Sequence, residues 1–245
     1  MTNMKERLIV ALDVDTKDEV RRLVKMLEPY VGMFKVGLQL FTSLGPAIFE
    51  LIQEAGGKVF VDLKLHDIPN TVAQASRVLT GYGVDMLNVH ASGGLYMMEK
   101  AREAVEEEAL AKGLVKPKLI AVTILTSLGE KDLEQIGLGT PQESVVRFAK
   151  LTKKAGLDGV VASPQETKLI RQACGNDFLT VTPGVRPLNS QAGDQKRITT
   201  PQEAIRAGSS YLVIGRPITA AVDPLAAVQQ IIEEMEAGHV NSTGN

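Results

Sequence analysis

The chain has 245 residues, a formal net charge of −2 and 44% hydrophobic residues, with aromatics at 4% and no tryptophan. That length holds one large domain or two small ones, and a charge near zero removes any bulk electrostatic case for nucleic acid or an anionic membrane surface. Scarce aromatics argue against base-stacking platforms, the single cysteine, Cys174, permits no internal disulfide, and no apolar run approaches the roughly 20 residues of a membrane span.

Taken in chain order, strands and helices alternate. A strand at 8–12 precedes a helix at Lys17–Leu27, and Met33–Gly37 precedes a helix at 46–54. The pairs continue as 58–63 with 71–82, Met86–His90 with 96–111, and 118–124 with 142–154. They close as 159–162 with 165–173, 178–182 with 201–207, and Tyr211–Ile214 with 224–236. The strands are nearly continuous apolar runs, the pattern of parallel strands buried on both faces. Gly56, Gly83, Gly156 and Gly208 each follow a helix, where a left-handed backbone favours glycine. No linker or charge block divides the chain, and Glu106-Glu107-Glu108 reads as a solvated helix face. Eight such units predict an α/β protein with one (β/α)8 TIM barrel domain over residues 1–245, the polar stretch 238–245 forming a frayed tail. An open doubly wound sheet is the alternative, but no G-x-G-x-x-G follows the first strand. Residues 1–7 lack the apolar stretch of a signal peptide, so a soluble, cytoplasmic protein is expected.

A barrel puts its chemistry at the C-terminal ends of its strands. The densest feature there is the run Asp62-Leu63-Lys64-Leu65-His66-Asp67-Ile68-Pro69-Asn70-Thr71. Side chains alternate along a strand, so Asp62 and Lys64 face the same way, and Asp67 follows as the chain leaves it. Two carboxylates gathered beside one ammonium are costly unless they serve a reaction or a tight fold contact. Other strand ends supply Asp13, Lys35, Asn88, His90, Thr123, Thr126, Ser127, Arg186 and Arg216. The charged set Asp13, Lys35, Asp62, Lys64, Asp67, Arg186 and Arg216 has three acids and four bases, so a phosphate monoester would complement the spare cationic charge. Ordinary ion pairs at a barrel mouth are the plainer reading.

Gly215-Arg216-Pro217 after the eighth strand suits phosphate: the glycine admits an anion to the backbone, the arginine offers a guanidinium fork, and the proline suits the first position of a short helix. A helix cap with a surface arginine is the bland alternative. The long polar segment 186–200, which contains Gln195, has the length of a lid. His66, His90 and His239 lack metal-ligand spacing, Cys174 reads as inert, and Met97-Met98 as core filling.

These residues resemble the signature of orotidine 5′-phosphate decarboxylase in its bacterial form. The similarity runs through Ala11-Leu12-Asp13, Phe34-Lys35-Val36-Gly37, the run from Asp62 to Thr71, Leu125-Thr126-Ser127, Pro183-Gly184-Val185-Arg186-Pro187 and Gly215-Arg216-Pro217-Ile218. The resemblance implies decarboxylation of orotidine 5′-phosphate to UMP, the last step of de novo UMP biosynthesis, with no metal and no organic cofactor. It implies Lys64 as general acid in an array with Lys35, Asp62 and Asp67, the last supplied by the partner in a homodimer with shared sites. It implies that Asp13 and Lys35 hold ribose hydroxyls with Thr71 from across the interface, and that Thr126 and Ser127 meet the pyrimidine. Gln195 would span pyrimidine and phosphate, and Arg186, Gly215 and Arg216 would hold the phosphate.

The chemistry explains the residue types. Loss of CO2 leaves an electron pair in the ring plane, where the π system delocalises it poorly, so an adjacent ammonium must stabilise and then protonate it. Neighbouring anions favour the charged lysine. A carboxylate near the departing group would also repel the substrate's own carboxylate. Two other readings remain at this point. One is an Mg²⁺-dependent sugar-phosphate decarboxylase such as 3-keto-L-gulonate 6-phosphate decarboxylase, which needs a carboxylate where this chain has Lys35. The other is a non-catalytic nucleotide-binding barrel.

Overall fold

The computed structural model describes residues 3–187 and 199–240. Its strands are β1 (Leu8–Ala11), β2 (Met33–Gly37), β3 (Val59–Leu65), β4 (Met86–His90), β5 (Lys118–Val122), β6 (Gly159–Val161), β7 (Leu179–Thr182) and β8 (Tyr211–Ile214). They pair in parallel in sequence order, and β8 returns to β1, so the sheet closes into a (β/α)8 TIM barrel.

The helices are α1 (Lys17–Leu27), α2 (Leu38–Leu44), α3 (Ala47–Glu54), α4 (Pro69–Gly81), α5 (Leu95–Lys112), α6 (Glu130–Gln135), α7 (Pro141–Lys154), α8 (Thr167–Cys174), α9 (Pro201–Arg206), α10 (Arg216–Thr219) and α11 (Pro224–Val240). Two of these, α2 and α6, were not expected. Both are short, and α6 starts behind Gly129, whose N–H donates to the Asp132 carboxylate at 2.8 Å. The expected frayed tail is corrected in part, because α11 continues to Val240. Gly238 lies inside that helix, where a Cβ would come within 2.6 Å of the Gln202 carbonyl oxygen, so glycine permits the close contact with α9. No helix among the described residues is long and apolar enough to cross a membrane.

Strand alternation builds two layers inside the barrel. Ile9, Met33, Phe60, Met86, Ile120, Val181 and Val213 are buried together and fill its interior. Two residues further along their strands stand Ala11, Lys35, Asp62, Asn88, Val122 and Gly215. The outward-facing residues, among them Val10, Phe34, Val61 and Leu87, pack beneath the helices in a second core. The apolar plug thus forms a floor above which these next inward residues stand.

Candidate active site

A cavity of about 540 Å³ opens above that floor. Its walls include Asp13, Lys35, Asp62 and Lys64 from β1–β3, an apolar side of Val122, Ile124, Leu125, Val161 and Val213, and Thr126, Arg186, Gly215 and Arg216. This size lies within the range of small-ligand sites.

The charges on β1–β3 form an alternating string. Lys35 Nζ stands 3.7 Å from Asp13 Oδ1 and 3.3 Å from Asp62 Oδ2. Asp62 Oδ1 in turn accepts from Lys64 Nζ at 2.8 Å and from Asn88 Nδ2 at 2.7 Å. The Lys35 and Asp62 side chains are only 12% and 14% exposed, while Lys64 is 30% exposed and faces the cavity. Burial alone would raise the pKa of Asp62. The combined pull of Lys35, Lys64 and the two donated hydrogen bonds outweighs it, and the carboxyl is held below its ordinary value. Gly37 makes room for this arrangement, since a Cβ there would lie 2.9 Å from Lys35 Nζ.

Lys64 is the one non-glycine residue among those described with a positive φ, +54°. Such a left-handed residue costs about 1–3 kcal/mol and persists only where its surroundings impose it. The β3–β4 register shifts between Val61 and Leu65, so the strand bends out of its ladder at the lysine.

At the other end, Arg186 is 8% exposed and its N–H donates to the Thr199 carbonyl at 3.0 Å. Gly215 packs where a Cβ would meet Asp13 Oδ2 at 3.1 Å, which brings the start of α10 against β1. The helix begins at Arg216, so Pro217 is its second residue, not its first.

Comparison with known proteins agrees with this fold. A family model described as the orotidine 5′-phosphate decarboxylase / HUMPS family matches residues 6–231. Two curated relatives named orotidine 5′-phosphate decarboxylase are close in sequence. That of Moorella thermoacetica is 56% identical over 95% of this chain and 93% of its own length. That of Geotalea daltonii is 55% identical over 95% of this chain and 97% of its own. The crystal structure of orotidine 5′-phosphate decarboxylase from Lactobacillus acidophilus superposes with a TM-score of 0.82 at 39% identity, covering 94% of this chain and 99% of that one. This chain belongs to the orotidine 5′-phosphate decarboxylase family.

Not every residue expected at a decarboxylase site lines the cavity of this one chain. Asp67 is exposed and its Oδ1 accepts from the Ile68 N–H at 2.6 Å; Thr71 and Ser127 are exposed as well. None of the three is among the cavity walls. Gln195 lies outside the described residues. Conversely, Gln39 lines the cavity and donates to Asp15 at 2.8 Å, a position missed because α2 itself was not anticipated. His66 and His90 stack at 5.4 Å between centroids. Burial, with smaller contributions from His66 and Lys64, lowers the pKa of His90 to about 4, so it is neutral in the working range of most enzymes.

The donor set also bears on a metal. The gap between Asp13 and Asp62, where two carboxylates could share a divalent ion, is filled by the Lys35 ammonium. Among the described residues no group of three or more His, Cys, Asp or Glu is placed to hold a metal ion.

Proposed function

We propose that Lys64 protonates C6 of the pyrimidine as CO2 leaves orotidine 5′-phosphate, in the decarboxylation to UMP that this family performs. The observation that carries the reading is the Lys64 ammonium at 2.8 Å from a largely buried aspartate and open to the cavity. Held there, a positive charge attracts the electron pair as it forms in the ring plane. Its proton is then delivered to the same carbon, so stabilisation and quenching come from one atom. Fixed charge set against an apolar wall is worth more than the same charge in water, because little reorganisation is needed as the reaction proceeds. Asp62 keeps the amine in place and presents a negative charge to the substrate carboxylate.

The remaining assignments follow the same polarity. Asp13 and Lys35 receive ribose hydroxyls, Thr126 meets the base, Gln195 spans base and phosphate, and Arg186, Gly215 and Arg216 take the phosphate; Ser127, exposed and off the cavity wall, is left out of this assignment. The reaction needs no metal and no organic cofactor, and the protein acts in the cytoplasm without nucleic acid or membrane. Asp67 and Thr71 come from the second subunit of a homodimer, a reading supported by their exposure and by the exposed Ile68 beside them.

Purified protein in excess chelator should consume orotidine 5′-phosphate, followed by ultraviolet absorbance. Activity that requires added Mg²⁺ would favour the sugar-phosphate reading instead, and UMP binding without turnover would favour a binding protein. Shared sites have their own test. An equal mixture of Lys64→Ala and Asp67→Ala subunits, each inactive alone, should recover about a quarter of wild-type activity after subunit exchange, because half the dimers then hold one intact site of two. No recovery after verified exchange would assign Asp67 to its own subunit's site.

A further inference from the structure

We propose that Asn88 is a positioning residue for the decarboxylation: its side-chain amide, from β4, locks the backbone of Lys64 and the carboxylate of Asp62 together and thereby sets where the reactive amine stands. The proposal rests on the reading of Lys64 as proton donor.

Three observations carry it. First, Asn88 is 1% exposed and is not among the cavity walls, so it acts through other residues. Second, the amide makes both of its bonds to the charged array: Oδ1 accepts from the Lys64 N–H at 2.8 Å, and Nδ2 donates to Asp62 Oδ1 at 2.7 Å. The partners themselves fix the orientation of the amide, since a backbone N–H can only donate and a carboxylate only accept. Third, the bond to Lys64 falls where the β3–β4 ladder is interrupted and where the lysine adopts its φ of +54°. A side chain thus takes the place of a main-chain acceptor at the one point where the backbone leaves the sheet.

The residue type follows from this task. A fully buried polar group on a central strand is costly unless satisfied, and Asn88 is satisfied by the array alone on its side chain. Aspartate offers no donor to Asp62, leucine offers neither group, and a hydroxyl has a single atom with which to serve both partners. Register supplies the position: Val61 pairs with Leu87, so the next residues, Asp62 and Asn88, are neighbours on the inner face.

The test uses full-length Asn88→Ala and Asn88→Asp, with Lys64→Ala in parallel. Asn88→Ala should lower kcat about 10- to 100-fold while KM changes less than about threefold, the scale expected when a reacting group is misplaced by about an ångström. Because Asp62 loses a donor that favours its ionised form, the acid limb of the kcat/KM profile should also move to higher pH. Asn88→Asp keeps the shape and the acceptor for Lys64 but sets a carboxylate against Asp62; it should fold, lose kcat and shift the same limb further. A purely structural role would lower the melting temperature and leave kcat of the folded protein and the acid limb where they were, and that result overturns the proposal. It falls equally if neither variant folds, since Asn88 then holds the barrel itself. Loss of activity in Lys64→Ala alongside normal Asn88 variants sinks only this inference; activity in Lys64→Ala removes the proton donor and the inference with it.

Discussion

The two ends of the barrel spend their charges differently. At the N-terminal end, Asp85 accepts from the Val59 N–H at 2.8 Å and Asp158 from the Leu119 N–H at 2.7 Å, so each carboxylate caps the start of a neighbouring strand. Arg7 similarly donates from Nε to the Ser210 carbonyl at 3.0 Å. At the C-terminal end, Asp13, Lys35, Asp62 and Lys64 face one another and a cavity. One end completes the hydrogen bonding of the sheet; the other holds charge ready for a ligand. Two aspartates show the contrast most directly. Asp62, between two ammoniums, is held below its ordinary pKa, whereas burial pushes Asp85 above it.

The largest effect that would test this division is at the proposed donor. Lys64→Ala should abolish measurable turnover, a loss of at least about 10²- to 10⁴-fold from removing a general acid, while UMP binding stays measurable by calorimetry. Substantial residual decarboxylation would return the lysine to an ordinary ion pair.

Next in size is the phosphate end. Arg216→Ala should lower kcat/KM by about 10- to 100-fold, as expected for a lost charge-assisted hydrogen bond, with folding stability within about 0.5 kcal/mol because the residue is exposed. Near-normal kcat/KM would break the assignment.

The finest test compares the aspartates by acid titration of stability. The depressed pKa of Asp62 adds stability above its unfolded value of about 3.9, and that contribution is lost as pH falls through the lower folded value. Wild type should therefore exceed Asp62→Asn at pH 7, with the gap closing in acid. Asp85 has the opposite sign: its raised folded pKa is a cost at neutral pH that protonation relieves. Asp85→Asn, which keeps an acceptor for Val59, should match or slightly exceed wild type at pH 7, lose that advantage as pH falls, and leave kcat/KM within about twofold. Urea melts across the range would decide, and parallel behaviour of the two variants would erase the distinction between the ends.

Much of this was legible in the chain. The barrel was, because the buried strands are short apolar runs each followed by a helix, and Gly56, Gly83, Gly156 and Gly208 mark the ends of four of those helices. The β2, β4 and β8 boundaries agree with those expected. The charge cluster was legible through alternation, which places Asp62 and Lys64 on one face, and they do meet at 2.8 Å. What escaped depends on neighbours rather than on local pattern. The sequence ended β3 at Leu63, yet the strand reaches Leu65 by bending at Lys64, a bend held from β4. Asn88 was visible as a polar residue near a strand end, but its partners exist only once the β3–β4 register is known. The short α2 and α6 offer too few turns for a periodic signal.

The string from Asp13 to Lys64 has one further consequence. Two minus and two plus charges in alternation sum to nothing, and such a multipole has a field that dies away quickly with distance. The amine is therefore intense at contact yet nearly invisible from bulk solvent. Small anions drifting past are drawn by the exposed Arg216, not by this balanced string, so added salt should weaken nucleotide capture far more than it slows a substrate already seated.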